Sequence, residues 1–457
     1  MNKDAGQKDM LYRHFRCQGW YALLEVPVFY GRGYEHKPKL VTDVDVLGVR
    51  PSGDLSWEFV IGDCKTKKNE SPANRVLWVR GLMEQVKAAR AFVLLKQDGG
   101  IERDHMLFAD SHRVTLIEEA GLETFDRCVI HPTGSKGFPE PSDALKYIRE
   151  EVPRQYLTLA PLADFINRDA WNEGDLITMM RKSLGIGRAV RREVNPAKAN
   201  QLAFIVEAAS VFAVGLASCV GTIFHQYLLT NDGSALDDGL KVLIWGGREN
   251  YEHIAGLRKQ LLEAKNIQAD DGGLALPEWP AFLQLVRSFL AAPKLAFRAP
   301  QLLRSIAIDL VVKQEPLTFY GNRDLMLLKL AMNTALYYVN ACGFPPDAAT
   351  QIKAIFHKRM GDVALSSQVP LPQVVREAEG PPYSASAPRT TAPTVPPLTV
   401  GAHPDPAGSP PLLVPTAPVL TDSALKAPKK GGGKNRSASK TGGTENQQSL
   451  VPTDTND

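Results

Sequence analysis

The chain has 457 residues, more than one hydrophobic core usually serves, so two folded regions plus appendages are expected. Hydrophobic residues make up 44% of it, enough for packed cores, and a net charge of +3 neither demands nor excludes a nucleic-acid partner. Five scattered cysteines (Cys17, Cys64, Cys128, Cys219, Cys342) without CxxC spacing argue against a zinc site or a disulfide framework and fit a reducing, cytoplasmic setting.

The N-terminal MNKDAGQKDM is polar and lacks the apolar core of a signal peptide. Asp9–Cys17 reads as a short amphipathic helix stopped by Gly19. The β-prone run Tyr21–Tyr30 contains Pro27, which points to an edge strand or a bulge, and its lone acid is Glu25. Leu40–Lys65 reads as two strands joined by the turn-forming Arg50-Pro51-Ser52-Gly53-Asp54. A helix is expected near Ala73–Arg90, with Val76, Val79, Met83 and Val86 facing a sheet. A buried strand should follow at Ala91–Lys96, another at Met106–Ala109, and then a helix around Arg113–Phe125. The resulting order is α-β-β-β-α-β, then β-α, an α/β region ending near residue 135.

Beyond the Gly-, Pro- and Ser-rich stretch Ile130–Pro141, long helical patterns dominate, so residues 136–365 are expected to form a mainly helical domain. Helices are read at Arg248–Ala264, Pro280–Leu290, Gln301–Val312 and Arg323–Cys342, the last stopped by Gly343. Ala208–Phe224 is free of charge for about the minimum length of a membrane span. Its Ala, Gly and Ser content, closely bounded by Glu207 and His225, predicts a buried core helix instead, and no membrane association is expected. Residues 366–457 are rich in Pro, Ser, Thr and Lys and are expected to be disordered.

The chemistry concentrates at the two central strands. Asp63 and Lys65, two apart, share a strand face, as do Asp43 and Asp45 on the preceding strand. In a hairpin, a carboxylate from the first strand would meet the carboxylate and ammonium of the second. Such a set suits a hard, oxygen-preferring cation and a phosphate. Lys65, Lys67, Lys68, Arg75 and Arg80 would form a basic rim tracking a nucleic-acid backbone. A second basic cluster, Arg181–Lys198, contains GIGRAV, but without a preceding strand or a G-K-[S/T] ending it is not read as a nucleotide loop.

Asp45, a turn, and then Asp63-Cys64-Lys65 resembles the PD-(D/E)XK nuclease superfamily, which has the restriction-endonuclease-like fold with its α-β-β-β-α-β core. The first motif here is TDVD, without the proline of the family name, and the third-strand acid is Asp where others carry Glu. Asp45 is preferred to Asp43 because it directly precedes the apolar Val46-Leu47-Gly48. The resemblance covers roughly residues 8–130. It implies a Mg²⁺-dependent nuclease, with Mn²⁺ able to substitute, in which Asp45 and Asp63 are metal ligands and Lys65 is the catalytic lysine. Gln85 would be a supporting polar residue on the next helix, and Glu25 the acid that some members contribute from the N-terminal element. DNA processing or genome defence is the expected setting. An RNA-directed nuclease and a catalytically inactive scaffold of the same fold are the alternatives. The helical domain would recognise substrate, form a homo-oligomer or bind a protein partner.

Overall fold

The computed structural model describes residues 4–30, 39–65, 70–96, 100–129, 141–227, 233–265, 267, 274–312 and 324–366. Residues 367–457 of the expected disordered tail, and Lys67 and Lys68 of the expected basic rim, lie outside the described residues. The first six elements run α1 (Ala5–Cys17), β1 (Tyr21–Tyr30), β2 (Lys39–Pro51), β3 (Trp57–Lys65), α2 (Pro72–Val86) and β4 (Ala88–Leu95), followed by α3 (Arg103–Ser111), β5 (Val114–Glu118) and α4 (Leu122–Val129). The strands form one mixed sheet in the order β1-β2-β3-β4-β5. The first three are antiparallel, as hairpin connections require, and β4 and β5 run parallel to β3 through helical crossovers. Pro27 is tolerated because β1 lies at the sheet edge.

Two expectations inverted at the end of this region. Met106–Ala109 belongs to a helix, not a strand, and Val114–Glu118 is a strand, not the start of a helix. Short apolar runs carry little periodicity, and tertiary context decides them. On α3 only Ala109 is fully buried, with Met106 and Leu107 exposed, whereas Val114–Glu118 pairs with β4. The helix α2 begins as read, with Ser71 as its cap and Pro72 in its first turn. It ends at Val86, earlier than expected, because Lys87 turns left-handed (φ 56°) and Ala88 already pairs with Phe59.

The sheet has two covered faces. On one, Leu11, Tyr12 and Phe15 of α1 pack against Val46, Val60, Cys64 and Phe92. On the other, Val76, Val79 and Met83 of α2 pack with Leu47, Val49, Ile61 and Val93, in a core continuous with the helices that follow. Those helices surround Ala199–Tyr227, whose most apolar window is 94% buried inside the protein. Among the described residues it is the one helix long and apolar enough to cross a membrane, and its burial is that of a core helix. Arg248–Ala264 forms as read, while Trp279–Leu290, Ala299–Val312 and Leu325–Cys342 form within two residues of their expected bounds. Gly343 ends the last of these in a left-handed cap (φ 69°).

The expected boundary near residue 135 lies outside the described residues, and Met1–Val375 forms one compact unit. Contacts at the β2–β3 turn, at the β1 edge and around Glu207 tie sheet to helices. The β2–β3 turn rests on the central helix at Gly221, where a Cβ would lie 2.0 Å from the carbonyl oxygen of Leu55, and Trp57 Nε1 donates to the Val214 carbonyl at 2.9 Å. Asn172 closes the β1 edge as a strand would, donating to the Pro27 carbonyl (2.7 Å) and accepting from the Phe29 N–H (3.2 Å). Buried Glu207 accepts from Arg304 (2.7 Å), lies 3.2 Å from Arg149 Nε, and faces Tyr21, while Arg304 also donates to the Ala22 carbonyl and lies over the Tyr21 ring.

The GIGRAV segment forms the last six residues of the helix Leu176–Val190, and the second of its two glycines has a packing cause. A Cβ on Gly187 would lie 2.6 Å from the Cys342 sulfur.

Candidate active site

The β2–β3 ladder runs from Pro51↔Trp57 to Val46↔Gly62 and stops there, so the next opposed positions are Asp45 and Asp63. The β1–β2 ladder pairs Leu24 with Val46 and Val26 with Val44, leaving Glu25 and Asp45 as the unpaired step between them. Glu25, Asp45 and Asp63 therefore form one row across three adjacent strands. Both ladders are interrupted at that row, and Glu25 adopts a left-handed backbone (φ 51°), which is costly for a non-glycine residue.

The interruption re-aims two of the acids. Leu23 and Val26 lie in the same core, and so do Leu47 and Val44, so the alternation of faces slips by one residue at Glu25 and again at Asp45. Lys8, on α1, meets both. Its ammonium lies 3.0 Å from Glu25 Oε1 and 2.9 Å from Asp45 Oδ1. The other Asp45 oxygen, Oδ2, accepts the backbone N–H of Cys64 at 2.8 Å. Burial alone would lower the Lys8 pKa, but its hydrogen bonds to Asp45 and Glu25 prevail and raise it above the ordinary lysine value.

Asp63 is served from the opposite side of the sheet. Its Oδ2 accepts from Arg75 Nε at 2.6 Å and its Oδ1 from the second guanidinium nitrogen, a bidentate pair between β3 and the first turns of α2. Lys65 Nζ, half-buried at the end of β3, lies 4.0 Å from Asp63 Oδ1. Burial pushes the Asp63 carboxyl upward, and the Arg75 and Lys65 charges act against that shift. Gln7 Nε2 holds the strand end, donating to the Lys65 carbonyl (3.4 Å) and to Glu119 (3.1 Å).

The predicted site residues thus fall into two sets. Glu25 and Asp45 are joined through Lys8 on the α1 face, and Asp63 lies with Lys65 and Arg75 on the α2 face, so the first-strand carboxylate does not meet the ammonium of the second strand as expected. Gln85 stands apart. It follows Arg75 by ten residues on the same helix, about 15 Å along its axis, and is exposed near the other end of β3. Arg75 is not an exposed rim cation, being only 9% exposed and committed to Asp63, and Arg80 is paired with Glu84. Cys64 is fully buried, and burial together with the neighbouring Asp45 and Asp63 charges raises its thiol pKa well above normal.

One residue of the constellation, Lys8, escaped the sequence reading, which makes Arg75 a rim cation and not the partner of Asp63. Lys8 carried no local signal, because its partners are 17 and 37 residues away. The position of Arg75, three residues after Pro72 at the start of the helix that follows β3, could have placed it beside Asp63.

Among the described residues no group of three or more His, Cys, Asp or Glu side chains is arranged to hold a metal ion. The donors that the row offers are carboxylate oxygens, the type Mg²⁺ prefers. All four oxygens of Asp45 and Asp63 already accept from Lys8, the Cys64 N–H or Arg75, each retaining a second lone pair. Compared with known protein families, with curated proteins and with solved structures, the chain finds no match in any of the three.

Proposed function

We propose that the protein is a Mg²⁺-dependent nuclease of restriction-endonuclease-like fold that hydrolyses phosphodiester bonds in DNA. The observation that carries this reading is the placing of Asp45 and Asp63 at opposed positions of adjacent strands where the β2–β3 ladder ends, with Lys65 4.0 Å from Asp63, within the element order α-β-β-β-α-β. An internal sheet position with two mostly buried carboxylates is expensive to maintain, and clusters of this kind concentrate at functional sites.

Asp45 and Asp63 would hold the cation, which when bound supplies positive charge to the phosphate and a more acidic water. The Lys65 ammonium, fixed beside Asp63 by the strand end, is placed to stabilise charge developing on a phosphate oxygen or to orient the attacking water. The Cys64 N–H fixes the Asp45 carboxylate, and Lys8 links it to Glu25, so Glu25 acts through Lys8 as a positioning residue. Lys65 would meet the phosphate backbone without reading sequence.

A second reading is favoured by one observation: Arg75 occupies both oxygens of Asp63. A permanent pair of that kind would leave a catalytically inactive scaffold with the same fold. Cleavage assays on double-stranded DNA, single-stranded DNA and RNA, with Mg²⁺, Mn²⁺ or EDTA, separate the readings. Wild type should cleave DNA only with the metals, and Asp63→Asn and Lys65→Ala should each lose at least a hundredfold in rate. Undiminished cleavage in both variants removes the site assignment. Cleavage of RNA alone redirects the substrate, and no cleavage of any substrate leaves the scaffold.

A further inference from the structure

We infer that a groove between α2, the Tyr30 end of β1 and the start of β2 takes unpaired nucleobases, so that the strand reaching Asp63 and Lys65 is single-stranded or locally melted. The inference rests on the nuclease reading and names the form of its substrate. Tyr30, Val41, Leu77, Trp78, Leu82 and Gln85 line an open groove of about 700 Å³. Leu77 and Gln85, eight residues apart on α2, set its length at about 12 Å, room for about three stacked bases. Among the described residues none that lines it is charged, while Tyr30 is 70% exposed and Trp78 40% exposed. Exposed aromatic rings beside an uncharged wall fit the flat faces of bases, not the phosphates that a double helix turns outward.

Trp78 joins the groove to the row of acids. Its ring centroid lies 3.9 Å from the guanidinium carbon of Arg75, which pairs with Asp63. Around that end Lys8, Lys65 and Arg75 stand against Glu25, Asp45, Asp63 and Glu70, so no net positive charge draws in a phosphate backbone. Stacking therefore has to carry the affinity, with Lys65 positioning a phosphate. Past Gln85 the groove continues into a recess of about 260 Å³ beside Trp171, lined by one lysine, Lys87, and one glutamate, Glu173. The Gln85 amide both donates and accepts, so it can meet the edge of any base.

The test is binding to the full chain in EDTA, which keeps it independent of metal and cleavage. Fluorescence anisotropy would follow labelled oligothymidylate, the same strand paired with oligoadenylate, and an abasic strand of equal length. Wild type should bind the single strand on the order of tenfold more tightly than the duplex or the abasic strand. That preference should persist between about 50 and about 200 mM salt, where binding through the backbone falls steeply. Trp78→Ala and Tyr30→Ala should each lose on the order of tenfold on the single strand, and Trp78→Phe should keep most of the affinity. Tyr30 is exposed enough to be replaced without unfolding, so its variant decides the matter if Trp78→Ala does not fold. No binding of the single strand, equal binding of the abasic strand, or wild-type affinity in Tyr30→Ala overturns the base groove. A wild-type dimer that Tyr30→Ala dissociates, seen by light scattering, assigns the groove to a second copy and overturns it too. Base-dependent binding by a protein that cleaves no nucleic acid supports the groove and overturns the nuclease reading alone.

Discussion

The backbone N–H of Cys64 donates to Asp45 Oδ2 at 2.8 Å, so the middle residue of the Asp63-Cys64-Lys65 motif is tied by its main chain to the acid of the preceding strand. The side chain takes over where the regular ladder has ended at Val46↔Gly62. A buried N–H needs an acceptor, and here the acceptor is a candidate metal ligand.

Replacement of Asp45 should therefore affect folding as well as chemistry. Asp45→Ala removes the acceptor of Cys64 N–H and one of two carboxylates around the mostly buried Lys8 ammonium, at a cost of about 3 kcal/mol. Asp45→Asn keeps an acceptor oxygen and should cost less. Urea denaturation of the two variants should give the larger loss for Ala, and equal losses would show that the Cys64 hydrogen bond contributes nothing.

A pH dependence follows from Glu207. Burial raises its pKa, but Arg304 and Arg149 prevail and hold it below the ordinary glutamate value of 4.5. Its contribution is full above the unfolded value, about 4.3, and is lost as pH falls through the lowered folded value. Melting temperatures measured from pH 7 to pH 3 should drop in that acid window. Glu207→Gln should flatten this part of the drop and lose about 3–5 kcal/mol at pH 7, because two buried guanidiniums are left without their carboxylate. An unchanged acid limb in the variant would assign the drop to other carboxyls.

Two glycines test the packing that frames the site. A Cβ at Gly62 would lie 2.6 Å from Leu11 Cδ2, which can move, so Gly62→Ala should cost about 1–3 kcal/mol. At Gly221 the obstacle is the Leu55 carbonyl oxygen, in a turn where Leu55 already sits at φ 63°. Gly221→Ala should be the more destabilising of the two by thermal melting, since backbone has to shift. The reverse ranking would mean that the turn is only loosely seated on the helix.

The β1 edge gives a further prediction. Asn172→Leu retains bulk but removes both hydrogen bonds to the strand, leaving the Pro27 carbonyl and the Phe29 N–H without their partner. A loss of about 1–3 kcal/mol is expected, with faster hydrogen exchange at the Phe29 amide. Exchange at wild-type rate would show that water replaces the side chain at no cost.

Much of this protein could be read locally. Strand alternation around Leu40–Lys65 put Asp63 and Lys65 on one side of β3, and the turn chemistry made β2 and β3 a hairpin, because both depend on neighbours within a few residues. The central helix was legible from the apolar run at Ala208–Phe224, and Leu325–Cys342 from its Gly343 stop. Met106–Ala109 and Val114–Glu118 were not legible, since a short apolar run takes its conformation from what it packs against or pairs with.

The row of acids returns the same lesson at the level of chemistry. Residue type and spacing singled out Asp45, Asp63 and Lys65, and the family resemblance added Glu25. Only the tertiary structure could pair Asp45 with Lys8 and Asp63 with Arg75 on opposite faces of the sheet. The slip in alternation at Glu25 and Asp45 is a property of two strands together, and the neutralising cations arrive from helices that precede and follow them in the chain. Long-range charge compensation leaves no local pattern, because a buried carboxylate requires that a cation be near it and places no constraint on where in the sequence that cation lies.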